Sequence, residues 1–251
     1  MQLSIIIPVY NEEKRIGQSL QKIMDFRERE LDEAEVIFVD DGSTDRTLKI
    51  LTENKNNNIR IVRVWPNKGK GNAVRAGVLE ANGGIIIYMD SDLATPLEEI
   101  SRILEAIKDD DIAIGTRFLD KNNVKRDLLR AIAGQIFSII KSMILPLRIS
   151  DTQCGFKAFK GNVAKELFAL SKVQRWSFDA EILFLAKKFG YTIKEISVSW
   201  QEKGDSKVRL LRDSIQMIKD LLLIRYSDLT GQYELPIDLQ NNNLNEKQEN
   251  A

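Results

Sequence analysis

The chain has 251 residues, 43% of them hydrophobic, which is enough to bury the core of one large α/β domain. Its 37 Lys and Arg residues balance its 37 Asp and Glu residues, so the electrostatic footprint of a nucleic-acid-binding protein is missing and we expect no nucleic acid partner. The absence of His excludes His-based catalysis and His metal ligands, and the single Cys154, which we expect to be buried, excludes a disulfide framework.

Strands and helices alternate through the first half of the chain. Apolar runs predict strands at residues 3–8, 35–39, 59–64, 85–89 and 112–115. Apolar residues spaced by three and four predict helices at residues 12–26, 45–53, 71–81 and 96–108. This alternation predicts an α/β fold with a twisted, mostly parallel, doubly wound sheet flanked by helices, which binds its ligands outside the carboxyl ends of the strands.

The second half of the chain is predominantly helical. Helices are predicted at residues 128–147, with a break at Pro146, and at residues 162–170, 178–189 and 208–224. One strand is predicted at residues 192–200. Residues 236–251 have no apolar pattern and are predicted to be a disordered tail.

Two carboxylates follow the fourth predicted strand, in the sequence Asp90-Ser91-Asp92. Side chains one residue apart at a strand exit can point into the same crevice, and oxygen ligands suit Mg²⁺ or Mn²⁺. Such an ion binds a diphosphate and stabilises the negative charge that builds when the diphosphate leaves. An ordinary acidic turn is the alternative for an isolated Asp-x-Asp sequence.

A second acidic cluster follows the second predicted strand. We assign Asp41 to a nucleotide, because an acidic residue at this point can accept hydrogen bonds from a ribose or a base. We assign Asp45 to the N-cap of the next helix.

A basic loop with two glycines occupies residues 67–72. Its backbone amides and Lys68 could cradle a phosphate, but a solvated turn is an equal alternative. The loop has neither the P-loop nor the dinucleotide-binding glycine order, and the first strand-to-helix turn contains no glycine, which argues against a nicotinamide dehydrogenase.

Longer motifs resemble a known enzyme family. The sequences SIIIPVYNEE at residues 4–13, VDDGSTD at 39–45 and DSD at 90–92 resemble the inverting glycosyltransferase family 2, which has a GT-A fold. Four later motifs resemble its dolichyl-phosphate β-glucosyltransferase branch, a relative of dolichyl-phosphate mannose synthase. They are DTQCGFK at residues 151–157, RWSFDAE at 175–181, GDSK at 204–207 and DLLLIR at 220–225. The resemblance runs from about residue 3 to residue 233.

The resemblance implies roles for individual residues. The nucleotide-sugar donor is expected to be bound by Pro8, Tyr10, Glu12, Asp41, Lys68, Asp90 and Ser91. The metal is expected on Asp90 and Asp92, and the catalytic set is expected to be Asp92, Arg117, Arg130 and Lys207. Arg117 and Arg130 match positions that grip an acceptor phosphate, and Lys207 matches a loop that closes over the donor. Ala94 stands where mannose synthases have Gln, which puts a third protein ligand to the metal in doubt.

The resemblance implies transfer of a hexose, glucose from UDP-glucose, to dolichyl or polyprenyl phosphate, with inversion to a β-linked product. The residues agree, because a phosphate acceptor is already anionic and needs cations for positioning rather than a general base. The alternative is a family 2 enzyme that adds a sugar to a hydroxyl of a cell-surface glycan, with Asp179 or Glu181 as base. Those two residues could equally be polar helix positions or part of a structural ion pair. The paired aspartates and the basic residues argue against a nucleotide-binding module without catalysis.

The predicted helix at residues 128–147 has a basic start and a broad apolar face. Such a helix suits either the bilayer interface or packing against the sheet, and the final helix could add to an interfacial surface. No signal peptide or membrane-spanning apolar stretch is recognisable. We therefore expect a cytoplasmic protein attached peripherally to the cytoplasmic face of a membrane. We predict one GT-A domain at residues 1–235, with a nucleotide-sugar-binding half at 1–118 and an acceptor-binding, interfacial-helix half at 119–235.

Overall fold

The computed structural model describes residues 2–54, 59–117, 141–201 and 210–234, and the strands in these ranges form one sheet. The strands are β1 (Leu3–Val9), β2 (Glu35–Asp40), β3 (Ile59–Arg63), β4 (Ile85–Met89), β5 (Ile112–Thr116), β6 (Phe156–Lys160) and β7 (Ile193–Ser197). Their order across the sheet is β3-β2-β1-β4-β6-β5-β7. β6 runs antiparallel to both of its neighbours, and the other pairs are parallel.

Helices cover both faces of this sheet. They are α1 (Ile16–Glu30), α2 (Thr47–Glu53), α3 (Lys70–Glu80), α4 (Glu99–Ala106), α5 (Gly161–Leu170), α6 (Phe178–Lys188) and α7 (Leu210–Leu229). Successive side chains of β1 point to opposite faces of the sheet and pack into two different cores. Ile6 lies in the core beneath α3, α5 and α6. Ile5 and Ile7 lie in the core beneath α1 and α4. A strand buried on both faces explains why its sequence is continuously apolar.

The structure confirms the mostly parallel α/β fold and corrects its details. β6 was not predicted from the sequence, because its Phe-Lys-Ala-Phe-Lys sequence carries two lysines in five residues. Lys157 is nevertheless fully buried in β6, because Asp179 supplies a counter-charge. β6 therefore inserts an antiparallel strand into a sheet that helix and strand alternation alone predicts to be parallel.

Several predicted boundaries also move. α1 begins at Ile16 rather than residue 12, because the loop at residues 10–13 is bound to the neighbouring loop at 43–47. α4 spans Glu99–Ala106 rather than 96–108, and β7 spans Ile193–Ser197 rather than 192–200. α7 continues to Leu229, five residues beyond its predicted end at 224.

The predicted helix at 128–147 is described only from residue 141, and residues 141–144 are helical. Leu145 and Leu147 are buried in the core beneath α3, while Met143 is exposed. The rest of that helix, the boundary between the two predicted halves and the tail at 236–251 lie outside the described residues. Within the described ranges, no helix combines the length and apolar character that crossing a bilayer requires.

Candidate functional site

The carboxyl ends of β1 and β4 diverge and open a crevice at the edge of the sheet. The last paired residues of the β1–β4 ladder are Ile6 and Tyr88, whereas β1 stays paired with β2 up to Val9. Pro8 has no N–H to donate, which favours separation of a central strand from its neighbour at this point. The strand order reverses between β1 and β4, and α/β sheets bind ligands at such a switch point.

The loop after β1 is bound to the loop after β2 on one side of the crevice. Its hydrogen bonds run from Asn11 N–H to Ser43 Oγ at 3.0 Å, from Thr44 N–H to Asn11 Oδ1 at 2.8 Å, and from Glu12 N–H to Thr47 Oγ1 at 2.7 Å. Asp45 accepts from the N–H groups of Glu13 and Thr47. Asp45 lies one residue before the N-cap position, Arg46, but it accepts from the first backbone N–H of α2, which is the predicted capping role, and its bond to Glu13 also ties the two loops together. Tyr10 is exposed at the rim of this pair of loops.

Asp41 holds the loop that leads into α3. Its carboxylate accepts hydrogen bonds from Asn67 Nδ2 at 2.7 Å, Lys68 N–H at 3.0 Å and Gly69 N–H at 2.8 Å. Burial raises the pKa of Asp41, and the two backbone N–H groups oppose that rise. Gly69 has a φ of 110°, a conformation that favours glycine. The residue assigned to the nucleotide therefore also shapes the predicted phosphate loop.

Lys70, the first residue of α3, contacts the predicted metal ligand Asp90. Its Nζ lies 2.5 Å from Asp90 Oδ1. Burial lowers the pKa of Lys70, but the negative charges of Asp90 and Asp179 more than offset this, so its pKa is raised. The backbone at Gly155 packs closely against the Asp90 carboxylate, since a Cβ at Gly155 would lie 2.0 Å from Asp90 Oδ2. Only glycine allows the backbone before β6 to approach Asp90 this closely.

The second carboxylate, Asp92, lies near Asp90 on the same loop. Burial, and then the negative charge of Asp90, raise the pKa of Asp92. Asp92 Oδ1 accepts from the Ala94 N–H at 3.0 Å. The positive charge of Arg15 opposes the rise, and Arg15 also donates to Glu12 Oε1 at 2.8 Å. Arg15 thus links a predicted donor-binding residue to a predicted metal ligand.

Arg117 lies after β5 and is held by Asp151. Its Nε and Nη2 donate to the two oxygens of Asp151 at 2.6 Å and 2.9 Å, and its guanidinium lies 5.4 Å from the ring centroid of Trp200. Burial lowers the pKa of Arg117, and Asp151 raises it by more, so the net shift is upward. Asp90 also contributes to that rise, which puts Arg117 within electrostatic range of the carboxylate pair. The predicted acceptor-binding arginine is therefore charged and fixed in orientation.

A buried ion pair lies beneath the carboxylates. The Lys157 Nζ lies 2.5 Å from Asp179 Oδ1 and 2.6 Å from the carbonyl oxygen of Cys154. The Tyr88 hydroxyl also donates to Asp179. Asp179 therefore has two donors and almost no contact with solvent. This is the structural ion pair that the sequence analysis left open as one of its alternatives.

Glu181, the other residue considered as a base, is also enclosed. Its carboxylate accepts from the N–H groups of Lys172 and Val173, each at 2.9 Å, and from the Tyr233 hydroxyl at 2.5 Å. Burial raises the pKa of Glu181, and these three hydrogen bonds oppose the rise. Glu181 joins α6 to the preceding loop and to the residues after α7, and it is fully buried.

The remaining predicted site residues divide into two groups. Pro8 and Ser91 are buried at the ends of their strands, and the Lys68 side chain is exposed on the loop that Asp41 holds. Arg130 and Lys207 lie outside the described residues, so their roles stay predictions.

The two carboxylates after β4, Asp90 and Asp92, could hold a metal ion only together with other ligands. Among the described residues, no group of three His, Cys, Asp or Glu side chains is arranged to hold one. Mg²⁺ is commonly bound by one or two carboxylates together with substrate phosphates and waters. Asp90 and Asp92 therefore fit an ion that binds together with a diphosphate, which agrees with Ala94 at the position of a third ligand.

Three residues of the site were missed by the sequence analysis. Lys70 lies in the basic loop that it singled out, but only the helix start at Lys70 turns this side chain toward Asp90. Asp151 and Lys157 lie in a motif that it quoted for the resemblance and gave no role. Lys157 gave no usable signal, because the strand that buries it was not itself predicted.

The chain is similar to several known proteins. The family model described as glycosyl transferase family 2 matches residues 4–168. A dolichyl-phosphate β-glucosyltransferase from Dictyostelium discoideum is 36% identical over 250 residues, which cover 93% of this chain and 76% of that protein. The Homo sapiens protein of the same name is 35% identical over 252 residues, which cover 93% of this chain and 78% of that protein.

A solved structure shares the fold. Glucosyl-3-phosphoglycerate synthase from Mycobacterium tuberculosis, in complex with Mn²⁺, UDP-glucose and phosphoglyceric acid, aligns with a TM-score of 0.62 and 17% sequence identity. The alignment covers 94% of this chain and 80% of that protein. At this level of identity the likeness concerns the fold.

Proposed function

The chain belongs to glycosyl transferase family 2 and has the GT-A fold, and we propose that it transfers glucose from UDP-glucose to dolichyl or another polyprenyl phosphate. The observation that carries the proposal is the position of Asp90. This carboxylate lies beside Asp92, in contact with Lys70 and within electrostatic range of Arg117. One crevice thus offers carboxylates for a cation-bound diphosphate and a fixed guanidinium for an anionic acceptor.

The donor half of the proposal is supported by the loops around β1 and β2. Tyr10, Glu12 and Asp41 line up after the two strands on one side of the crevice, where the uridine would bind. Asp90 and Asp92 would hold Mg²⁺ or Mn²⁺, and this ion would stabilise the negative charge of the departing UDP. The bacterial neighbour that was solved with Mn²⁺ and UDP-glucose supports such a donor.

The acceptor half is supported by Arg117. Its two hydrogen bonds to Asp151 fix the guanidinium plane, and a planar guanidinium suits a phosphate. An acceptor phosphate oxygen would form a bond to the anomeric carbon while the bond from that carbon to the UDP oxygen breaks. Attack from the face opposite UDP gives inversion and a β-linked product. No proton has to be removed from a phosphate monoester oxygen that is already ionised, so the reaction needs no general base.

A hydroxyl acceptor is disfavoured by the burial of the two candidate bases. That reaction needs a base in contact with the acceptor, and the two candidates in the sequence were Asp179 and Glu181. Both carboxylates are buried and accept hydrogen bonds from structural donors. Asp179 is 3% exposed and Glu181 is fully buried, so neither carboxylate is open to an acceptor hydroxyl.

An assay with radiolabelled UDP-glucose, polyprenyl phosphate and Mn²⁺ tests the proposal, with extraction of the product into organic solvent. Label should move to polyprenyl phosphate but not to polyprenol, and NMR should show a β anomer. Asp92→Asn should lower the rate by about 100-fold or more, because a metal ligand is lost. Asp25→Asn, the same chemical change at an exposed site on α1, is the matched control and should leave the rate unchanged. Transfer to polyprenol at an equal rate, or a donor other than UDP-glucose, would overturn the proposal.

We also propose that α7 attaches the enzyme to the surface of an anionic membrane. The helix exposes an apolar stripe, the α7 stripe, which consists of Ile215 at 58%, Leu222 at 54%, Tyr226 at 60% and Leu229 at 71% exposure. These residues recur at helical spacing on one face, and the exposed Lys219 lies beside them. An apolar face with flanking positive charge suits the interface of an anionic bilayer.

The position of α7 relative to the crevice supports this attachment. On its buried face, the Met217 carbonyl accepts from Ser177 Oγ at 3.4 Å, and Met217 Sδ lies 4.0 Å from Gln153 Nε2. Ser177 and Gln153 belong to the motifs around Asp179 and Asp151. The thickness of one helix, about 10–12 Å with side chains, therefore separates the α7 stripe from the walls of the site.

Co-sedimentation with vesicles of phosphatidylglycerol and phosphatidylcholine tests the attachment. Changing both Leu222 and Leu229 to Asp should weaken binding by about tenfold or more, since each exposed leucine that enters the bilayer contributes apolar burial. Leu79→Asp, the same chemical change at an exposed site on α3, is the control and should bind as the unmodified protein does. Equal binding of all three proteins to the vesicles would show that the α7 stripe does not contact the membrane.

A further inference from the structure

Lys70 occupies a position that helix stability does not explain. It is the first residue of α3, and a positive charge at a helix N-terminus opposes the helix dipole. Its side chain is only 16% exposed, so the ammonium is largely removed from water. Its direct partner is Asp90 at 2.5 Å, and Asp179 and Asp92 add further negative charge. The pair is only partly buried, because the Asp90 side chain is 40% exposed, and a partly exposed ion pair contributes little net stability. The position of Lys70 therefore points to a role in the reaction.

The loop before Lys70 is built to keep the ammonium in this place. Asp41 accepts the N–H groups of the two preceding residues. A Cβ at Gly69 would meet Arg175 and the Gln174 carbonyl within 2.8 Å, and a Cβ at Gly71 would lie 2.6 Å from Phe178. The backbone on either side of Lys70 is therefore fixed by close packing, while its flexible side chain can still change partners.

Among the described residues around Lys70, three other cations each have a different carboxylate as their direct partner. Arg15 and Arg117 are each paired with a carboxylate of their own, Glu12 and Asp151. Lys157 is paired with Asp179. Lys70 is thus the direct counter-charge of Asp90, the carboxylate on which a divalent cation would bind.

We propose that the Lys70 ammonium and the divalent cation are alternative partners of Asp90, and that Lys70 moves onto the donor diphosphate when the cation binds. The inference rests on the proposed donor site. Two cations on one carboxylate oxygen repel each other, so binding of the metal expels the ammonium from Asp90. The diphosphate that arrives with the metal offers the expelled ammonium new oxygen acceptors within reach of its side chain. Lys70 then contacts the leaving group together with the metal, and is in that sense a catalytic residue.

Metal binding without nucleotide tests the first half of this proposal. Titration of the metal-free protein with Mn²⁺, followed by the EPR signal of the free ion, should show that Lys70→Met binds Mn²⁺ about tenfold more tightly than the unmodified protein, since a competing cation has been removed. Lys49→Met removes a distant surface charge and is the matched control. In a protein that already carries Asp90→Asn, the further change Lys70→Met should not increase the affinity for Mn²⁺. Tightening that persists without Asp90, or no tightening at all, would overturn the exchange.

The affinity for UDP at saturating Mn²⁺ tests the second half. Lys70→Met should weaken UDP binding by about tenfold, the size expected for loss of a charge-assisted hydrogen bond. Unchanged UDP affinity would overturn the contact with the diphosphate. Lys70→Gln, checked by its thermal unfolding, serves as a second variant in case Met disturbs folding. Neither measurement uses sugar or acceptor, so an enzyme that binds Mn²⁺ and UDP but glucosylates no lipid phosphate would overturn the proposed function and leave this inference intact.

Discussion

Replacing Asp179 with Asn leaves the Lys157 ammonium buried without its counter-charge. The Lys157 side chain is 0% exposed, its Nζ lies 2.5 Å from the Asp179 oxygen, and the Tyr88 hydroxyl donates to the same oxygen. Asn keeps one acceptor oxygen for two donors and has no charge. Removal of one partner of a buried ion pair costs about 3–5 kcal/mol. Because a domain of this kind is stabilised by about 5–15 kcal/mol in total, Asp179→Asn should lose a large fraction of its stability.

Urea denaturation and thermal unfolding measure this loss. The midpoint temperature should fall by about 6–20 °C, at about 2–4 °C per kcal/mol for a chain of this size. Lys157→Met in the Asp179→Asn background removes the stranded charge and should recover more than about 1 kcal/mol, since an apolar side chain of similar volume tolerates burial. Asp25→Asn, an exposed change on α1, is the control and should stay within about 0.5 kcal/mol of the unmodified protein.

The same variant separates the two acceptor hypotheses. If Asp179 acts only through the fold, the protein that remains folded at low temperature should transfer glucose at a rate close to that of the unmodified enzyme. A stable Asp179→Asn protein with a rate reduced by about 100-fold or more would show that Asp179 serves as a general base. That result would show that the role of Asp179 is not only structural, and it would favour a hydroxyl as the acceptor of the sugar.

Three further predictions follow from single residues. Gly155→Ala should weaken Mn²⁺ binding by about 10–100-fold, because its Cβ would lie 2.0 Å from Asp90 Oδ2 and displace this ligand; unchanged affinity in an EPR titration would contradict it. Burial raises the pKa of the Cys154 thiol to about 11, so it should not react with a disulfide reagent between pH 7 and 9 until urea unfolds the protein; rapid reaction of the native protein would be the contrary result. Burial also raises the pKa of Asp220 in the folded protein, so folding favours the protonated carboxyl. The free energy of unfolding is therefore highest at pH values below the pKa of the unfolded state, and it falls as the pH rises through the pKa of the folded state. Asp220→Asn should therefore be more stable than the unmodified protein at pH 7, with a gain that shrinks toward pH 4; a gain in urea midpoint that is equal at both pH values would contradict this.

Three of the strands that the sequence predicted correctly share one property. β1, β2 and β4 are continuous apolar runs buried on both faces, and such runs are readable without any knowledge of their partners. β6 was missed because its burial depends on a partner far along the chain. Lys157 is stable inside the sheet only because Asp179, on α6, neutralises it, and no local pattern contains that information.

The candidate site likewise contains residues that could be identified from the sequence and contacts that could not. The carboxylates Asp41, Asp90 and Asp92 were identified because each follows a predicted strand at the ligand-binding edge of the sheet. The contact between Lys70 and Asp90 was not predictable, since it depends on the φ of Gly69 and on the packing of the loop against α6. Asp151 was missed as the residue that orients Arg117, because the two residues are 34 positions apart in the chain.

The sequence by itself determined the class of the fold, the edge of the sheet that binds ligand, and the acidic residues that lie there. Those features follow from local hydrophobic periodicity and from the rule that parallel strands present their carboxyl ends at one edge. Only the tertiary structure decided which charges meet: Lys70 with Asp90, Arg117 with Asp151, and Lys157 with Asp179. The physical reason is that the free energy of a buried charge depends on the distance to its counter-charge, and that distance exists only once the sheet and helices have packed.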